Sequence, residues 1–516
     1  MHNHRFFGRN FMKNPFDKGN EIQTVQIDLS TPDGWQTGKK ERMCYYLYFA
    51  GQNAVYFLIA TYLTTYMMFQ GVDLKKSAAV MLAVKIWDAV NDAIFGVIFD
   101  AVKFKSGKKF TPWLKVSTPL IAITTILLFI IPKGSGEGVK LAWLAVAYIL
   151  WDTAYTLCDV PIYGIITAMT ENLDERTSML SYKSIWGGVG NALATVLASV
   201  LVSEKVGSSY AIVALIIAVF SFATMFPAAK NLKERCVPVN EESFTLRNMF
   251  KYLFGNKYLL IYYLGYFFYS SANVANSLNL FVSYYLFNNS LFSLVVGALG
   301  VVPMLIFSLL VPHMLRKIDK MKLYIICTIS VIVLSVLNWV IGYGSIVMFI
   351  ILTTLRSIPL AIIGVVMFMF TPDCAEYGKF KTGIDAKGIT FSIQTFMAKL
   401  TGAVSGALGM FVLGLKSSEW ISVEVENFEQ LQQLGVTQTP HALNVLWFVY
   451  IMVPAIGCIL ALATWFFYHL KDTDVQIMAD CNTGKITREE AFEKLSQPYG
   501  CTLEIKKTAK SGEKAE

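Results

Sequence analysis

Stretches of helix length that carry almost no charge constrain this chain more than anything else in it. ILLFIIP, AIVALIIAVFSFATMF and LYIICTISVIVLSVLNWVI are such runs, and about 20 apolar residues are what a helix needs to cross the hydrocarbon core of a bilayer. The composition agrees: 55 % of the 516 residues are hydrophobic and only 16 % are charged, against roughly 25 % charged in soluble domains. The chain reads as an all-α polytopic membrane protein, which disfavours secreted and cytosolic enzymes.

Spans fall near 43–69, 78–101, 113–132, 140–169, 180–203 and 209–229, and again near 257–286, 291–315, 322–342, 345–370, 388–415 and 442–469. A polar stretch, 230–256, divides these twelve transmembrane helices six and six. The expected layout is a tail over 1–42, a six-helix bundle over 43–229, a linker over 230–256, a second bundle over 257–469 and a tail over 470–516. With the N-terminus inside, the inside loops collect Lys103, Lys105, Lys108, Lys109, Arg176, Lys230, Lys233, Arg235, Arg247, Lys251, Arg316, Lys317, Lys320, Lys379, Lys381 and Lys387. The outside loops hold far fewer cations, so both termini are expected in the cytoplasm and the protein in the cell membrane. The first 40 residues lack the apolar core of a signal peptide. Two six-helix halves with a cytoplasmic linker are the architecture of the major facilitator fold, whose halves enclose a site near the midplane. NMFKYLFGNKY in the linker reads as an amphipathic surface helix, and the polar C-terminal tail as a small helix or a loose segment.

The same distribution explains the formal charge of +8, from 44 Lys and Arg against 36 Asp and Glu. Cations that lie in tails and alternate loops are topology signals, so nucleic acid is not an expected partner. Eight scattered cysteines with no CxxC suggest neither zinc nor a disulfide framework. No cofactor is called for.

A charge at the centre of a spanning helix costs roughly 2.5–3.5 kcal/mol, so each one asks for a partner and a role. KIWDAVNDAIFG in the second span puts Asp88, Asn91 and Asp92 on one helix face, the outline of a cradle for a monovalent cation or a shared proton. A paired structural cluster is the plainer alternative. The fourth span, YILWDTAYTLCDVPIYG, adds Asp152 and Asp159 with Tyr155 and Thr156 between them. FSIQTFMAKLTG in the eleventh span contributes Lys399, which would link the halves electrostatically and compete with a cation for the acids. A purely structural salt bridge there is the alternative. Arg356, in TTLRSIPLAI, sits near mid-membrane by residue count, where it would meet a substrate carboxylate, neutralise an acid or face a water-filled vestibule. The seventh span carries Tyr263, Tyr266, Tyr269, Asn273, Asn276 and Asn279, suited to sugar faces and hydroxyls or simply to packing.

Three blocks coincide: WDAVNDAIFGVIFDAVKFKSGKKFTPW, YTLCDVPIYG followed by NLDER, and DCAEYGKFKTG followed by FSIQTFMAK. Together they resemble the glycoside-pentoside-hexuronide:cation symporters, the melibiose permease-like family of the major facilitator superfamily, over most of 43–415. The resemblance implies a cation site at Asp88, Asn91, Asp92 and Thr156 with Lys399 beside it as the coupling residue. It implies sugar contacts at Tyr155, Asp159, Gln394 and Thr395, with Tyr163 in place of a tryptophan. Asn53 stands where the melibiose permease branch has its first-helix aspartate, and Ser184, preceded by Lys183, where it has a fifth-helix arginine. Asp152 and Arg356 are not part of that pattern, and are either compensating partners or a changed substrate site. Gly96, Asp100, Gly107, Lys108 and Lys109 resemble the superfamily's gating motif, in which a helix-end carboxylate and basic residues clamp one face.

The expected function is import of a glycoside, pentoside or hexuronide, coupled to Na⁺, by alternating access. Proton coupling in the same fold and a non-transporting membrane sugar sensor are the alternatives. Lys183 and Arg356 make an acidic sugar attractive.

Overall fold

Hydrocarbon offers no hydrogen-bond partners, so a chain this apolar must satisfy its backbone within helices. The computed structural model describes residues 35–102, 104–170, 172–235, 253–383 and 387–502, and named elements among them are helical. In the first half these are α1 (Lys39–Phe57), which continues through a π turn over Leu58–Tyr62 into α2 (Leu63–Met68), then α3 (Leu74–Ala101), α4 (Thr111–Leu128), α5 (Glu137–Met169), α6 (Leu173–Leu201) and α7 (Tyr210–Asn231). The second half holds α8 (Lys257–Ser271), α9 (Ala275–Phe287), α10 (Phe292–Met314), α11 (Lys320–Ile341), α12 (Ile346–Phe368), α13 (Phe370–Thr382), α14 (Lys387–Leu413), α15 (Phe428–Gln433) and α16 (Pro440–Trp465). Short helices α17 (Asp472–Asn482) and α18 (Arg488–Lys494) follow.

Among the described residues, eight stretches are by themselves long and apolar enough to cross a membrane. Three of the other expected spans have a visible reason to fall short. α1 is interrupted by its π turn and α3 carries Lys85, Asp88, Asp92 and Asp100. The seventh span breaks between α8 and α9 at Ala272–Val274, whereas the eighth is one continuous, charge-free helix, α10. Helix starts are capped where loops meet them: Asp73 accepts from the Lys75 and Lys76 amides, Asp319 from Met321 and Lys322, and Thr439 from Ala442.

Within the first half α1 packs on α6 and α7, and α4 on α5 and α7; within the second, α12 packs on α10 and α11, and α16 on α8 and α11. One hydrophobic core fills the first half and continues into Phe281, Met410, Phe428 and Leu446 of the second, while another stays within the second half. The halves therefore share a core at one rim. Across the middle, α3 runs along α14.

At the shared rim the segment 414–439, between α14 and α16, straps the second half onto the first. The Val425 amide donates to the Phe69 carbonyl at 2.8 Å and the Phe428 amide to Val202 at 3.1 Å. Lys140 Nζ lies 2.7 Å from Glu424 Oε2, and Lys133 pairs with Glu426. The Phe428 ring fills the joint between Phe69 and Tyr284. At the opposite, basic rim each half is tied within itself: Arg235 Nη2 reaches Glu41 Oε2 at 2.6 Å, and Lys320 pairs with Asp373 and Asp472. Most of the linker, including NMFKY of the expected surface helix, lies outside the described residues. The C-terminal tail is folded as far as it is described, to Thr502: α18 opens with a Thr487–Glu490 capping box, Tyr377 donates to the Tyr499 carbonyl at 3.1 Å, and Arg488 Nη1 donates to that of Phe380 at 2.8 Å.

Candidate cation and substrate site

Of the charges that the sequence placed inside the membrane, Asp88, Asp152 and Lys399 meet where α3, α5 and α14 come together. Asp88 and Asn91 on α3 are buried, as is Thr156 on α5. Asn91 Nδ2 donates to Thr156 Oγ1 at 2.9 Å, leaving Asn91 Oδ1 buried and without a hydrogen-bond partner. Lys399 Nζ, from the other half, stands 3.8 Å from Asp88 Oδ1. Asp88, Asn91, Thr156 and Lys399 thus stand together; the Asp92 side chain lies outside the described residues.

Lys85 is the addition that sequence reasoning missed. It sits one turn before Asp88 on α3, 3.4 Å from Asp88 Oδ2 and 3.7 Å from Asp152 Oδ1. Asp152 is 3 % exposed and its Oδ2 has no hydrogen-bond partner. A lone buried carboxylate is costly, whereas one held beside an ammonium is tolerated. The base beside Asp152 is therefore Lys85 and not Arg356, the other residue outside the family pattern. The Trp87 indole donates to Thr153 Oγ1 at 3.2 Å, pinning α3 to α5 beside this pair. Lys85 and Lys399 line a cavity of about 320 Å³ with Tyr148, Trp151, Asn273 and Asn276. A larger space of about 430 Å³ lies under the strap, lined by Tyr66, Gln70 and Glu424, well removed from these charges.

Two turns along α5 lies the second cluster. Asp159 accepts from Gln52 Nε2 at 2.6 Å, so the first-helix side chain on this acid is Gln52. Its neighbour Asn53 donates instead to the Phe49 carbonyl of its own helix at 2.9 Å and rests against Gly187. Tyr155 stacks on Trp151 with ring centroids 5.1 Å apart and meets Tyr56 at 5.3 Å. Lys183 Nζ sits 3.8 Å over the Tyr163 ring and 4.7 Å from that of Phe49, within the field of Asp159. Of the eleventh-span pair, Gln394 is half-buried with an unpartnered Oε1, and the Thr395 side chain lies outside the described residues. Arg356 stands apart from this cluster, buried within the second half.

In the basic loop Gly107 takes φ +69°, a left-handed conformation that favours glycine. Lys108 is exposed, and the Lys109 amide donates to Glu234 Oε2 at 2.6 Å. Glu234, which sequence reasoning also missed, takes the Phe110 and Thr111 amides as well, so a carboxylate sits on the α4 N-terminus. Gly96 and the Asp100 side chain lie outside the described residues.

Two helical halves joined at one rim around a buried charged site define a membrane transporter of the major facilitator class rather than an enzyme. The family model for MFS/sugar transport proteins matches residues 44–472, and the chain belongs to that family. It is 25 % identical to the isoprimeverose transporter of Lactiplantibacillus pentosus over 454 residues, which covers 85 % of this chain and 90 % of that one. It is also 25 % identical to the glucuronide carrier protein homolog of Escherichia coli (strain K12) over 419 residues, 78 % of this chain and 86 % of that one. Among solved structures, the nucleoside transporter NupG shares the fold with a TM-score of 0.58 at 15 % identity, covering 84 % of this chain and all (100 %) of that one.

Proposed function

We propose that this protein is a cation-coupled symporter of a glycoside, pentoside or hexuronide, with Na⁺ as the coupling ion. The observation that carries the reading is Asn91 Oδ1: buried, unpartnered, held in place by Thr156 and one helical turn from the Asp88 carboxylate. An orphaned acceptor beside an acid is what a hard monovalent cation needs in exchange for its water. Asp88, Asn91 and Thr156 supply ligands, joined by Asp92 from its place on α3. Gln52, Asp159 and the Tyr56–Tyr155–Trp151 rings offer hydroxyl partners and flat faces for a sugar. The names of the isoprimeverose and glucuronide relatives support a sugar of this class.

Lys399 gives the coupling a physical route. A cation at Asp88 competes with the Lys399 ammonium for the same carboxylate, so occupancy weakens a tie between the halves and shifts the balance between their arrangements. The Lys/Arg asymmetry supports a cytoplasmic basic rim in the cell membrane. One Na⁺ per sugar supplies about 2.3 kcal/mol per 100 mV and about 1.4 kcal/mol per tenfold gradient, sufficient for accumulation of a hundredfold or more. Uptake of labelled glycosides, pentosides and uronides into proteoliposomes tests this: an inward Na⁺ gradient is expected to drive accumulation of at least one, and Asn91→Ala to remove the Na⁺ stimulation. Equal uptake with and without Na⁺ would sink the sodium assignment.

Proton coupling has one observation in its favour. Lys85 and Lys399 already set two positive charges against Asp88 and Asp152, and a balanced cluster moves a proton more readily than it admits a further cation. Uptake that ignores Na⁺ and rises with an acid-outside gradient would select this reading.

A further inference from the structure

Among the described residues Arg356 is a buried charge with no acid beside it. It lies at the middle of α12, is 6 % exposed, and its Nη1 has no hydrogen-bond partner. The spanning segments of the second half, 257–315, 322–370, 388–415 and 442–469, contain no Asp or Glu at all, and Tyr450 and Cys458 line the space beside it. Interior guanidinium groups pair, because an unpaired one is strongly disfavoured at this depth. The counter-charge must therefore come from outside the bundle.

The surroundings indicate its form. Arg356 lines a cavity of about 160 Å³ together with Thr353, Ser357, Tyr269 and Tyr450, and Thr353 Oγ1 is a second buried polar atom there without a partner. Thr353, Arg356 and Ser357 share one face of α12 by their i, i+3, i+4 spacing. A core cavity of comparable size takes a group as large as a six-membered ring, more than one small ion requires. Asn273 and Asn276, at the break between α8 and α9, line both this cavity and the central one that holds Lys85 and Lys399. An amide pair thus stands between the charged site and the guanidinium. A planar, five-donor guanidinium matches a carboxylate bidentately, and the hydroxyls and amides around it match sugar hydroxyls.

We propose that Arg356 and Thr353 form a carboxylate subsite, reached from the central cavity past Asn273 and Asn276, that selects sugars bearing an acid group. The proposal deepens the transport reading above and rests on it.

The test compares methyl β-D-glucuronide with methyl β-D-glucoside, by calorimetric binding to purified protein and by counterflow in proteoliposomes, for wild type, Arg356→Gln and Arg356→Lys. Wild type is expected to bind the uronide at least tenfold more tightly than the glucoside. Arg356→Gln should weaken the uronide about tenfold or more while leaving the glucoside within twofold. Arg356→Lys should fall between, because an ammonium is a point charge. Ligand-free Arg356→Gln should melt no lower than wild type, since it loses an uncompensated charge, and at one uronide concentration wild type should gain the most melting temperature, Arg356→Lys less and Arg356→Gln least. Equal weakening of both sugars would reduce Arg356 to a structural residue. A wild type that carries the glucoside and refuses the uronide, or is stabilised as much by chloride or acetate alone, would overturn the subsite while leaving transport intact. A wild type that carries no sugar would overturn the transport reading itself.

Discussion

Lys85 shows how far a single side chain reorganises the site. With Asp88 at 3.4 Å and Asp152 at 3.7 Å, it turns an apparent surplus of acids into a balanced group. Removing one member strands the others, and a stranded buried charge costs more than the pair contributes. Lys85→Met is therefore expected to lower sugar uptake at least tenfold, and Lys85→Met combined with Asp152→Asn to recover much of it. Uptake rates for the two single variants and the double variant give the coupling; additive losses would mean that the two side chains act independently. Part of this was legible beforehand. The i, i+3 rule that joins Asp88 to Asn91 equally joins Lys85 to Asp88, but the reach to Asp152 crosses from α3 to α5 and no spacing along one helix reveals it. Gln52 and Asn53 differ for a similar reason. Neighbours on a helix point about 100° apart, and only the packing of α1 against α5 and α6 decides that Gln52 meets Asp159 while Asn53 turns to its own backbone. The Thr353–Arg356 cavity was half visible: the charge stands out in spans that hold no acid, but the space beside it and the unpartnered Thr353 hydroxyl depend on how the second bundle closes.

Among the elements, α1 is the most tightly held, because α6 approaches it through glycine. A Cβ built on Gly190 would collide with the Ala50 carbonyl oxygen, whereas one on Gly188, half a turn away, meets nothing within 4 Å. Small residues at such contacts let helix backbones close on each other where lipid supplies no hydrophobic drive. Gly190→Val should push α6 from α1 and cost roughly 1–3 kcal/mol, read as a lower melting temperature in detergent, while Gly188→Ala should be neutral or mildly stabilising. Matching melting curves would show that the approach is not limiting. Elements were also where the sequence spoke most clearly, since charge-free runs of helix length have few other readings. It spoke least clearly where a span is imperfect. The π turn at Leu58–Tyr62 and the break at Ala272–Val274 leave no strong breaker signal, because neither stretch contains proline and neighbouring helices supply the partners that the freed backbone groups need.

For the molecule as a whole, the strap over 414–439 decides which rim is closed. Anchored at both ends to the second half and bonded to Phe69, Lys133, Lys140 and Val202 of the first, it must release before the halves can part at that rim. The Glu424–Lys140 pair is one of its charged fastenings, beside Lys133–Glu426, with Lys140 buried beneath a half-exposed Glu424. A pair so placed contributes on the order of 1 kcal/mol, which corresponds to a several-fold shift in the ratio of closed to open forms. Its pH dependence follows from the same geometry. The hydrogen bond from Lys140 leads in holding the Glu424 carboxyl below the usual glutamate value, with the Gly134 amide and Lys133 adding to it against partial desolvation. A depressed carboxyl favours the closed form at all pH above the ordinary glutamate value of about 4.3, and loses that contribution as pH falls through the lowered value. Closure should thus be insensitive to pH between 5 and 8 as far as Glu424 is concerned, and Glu424→Gln at pH 7 should mimic wild type in strong acid. Spin labels at Gly138 and Gln432, one on each side of the joint and both exposed, report the separation: the variant should populate a longer distance several-fold more than wild type. If the two distance distributions coincide at pH 7, the Glu424–Lys140 pair does not carry the closure, which then rests on the backbone bonds of Val425 and Phe428 and the Lys133–Glu426 pair.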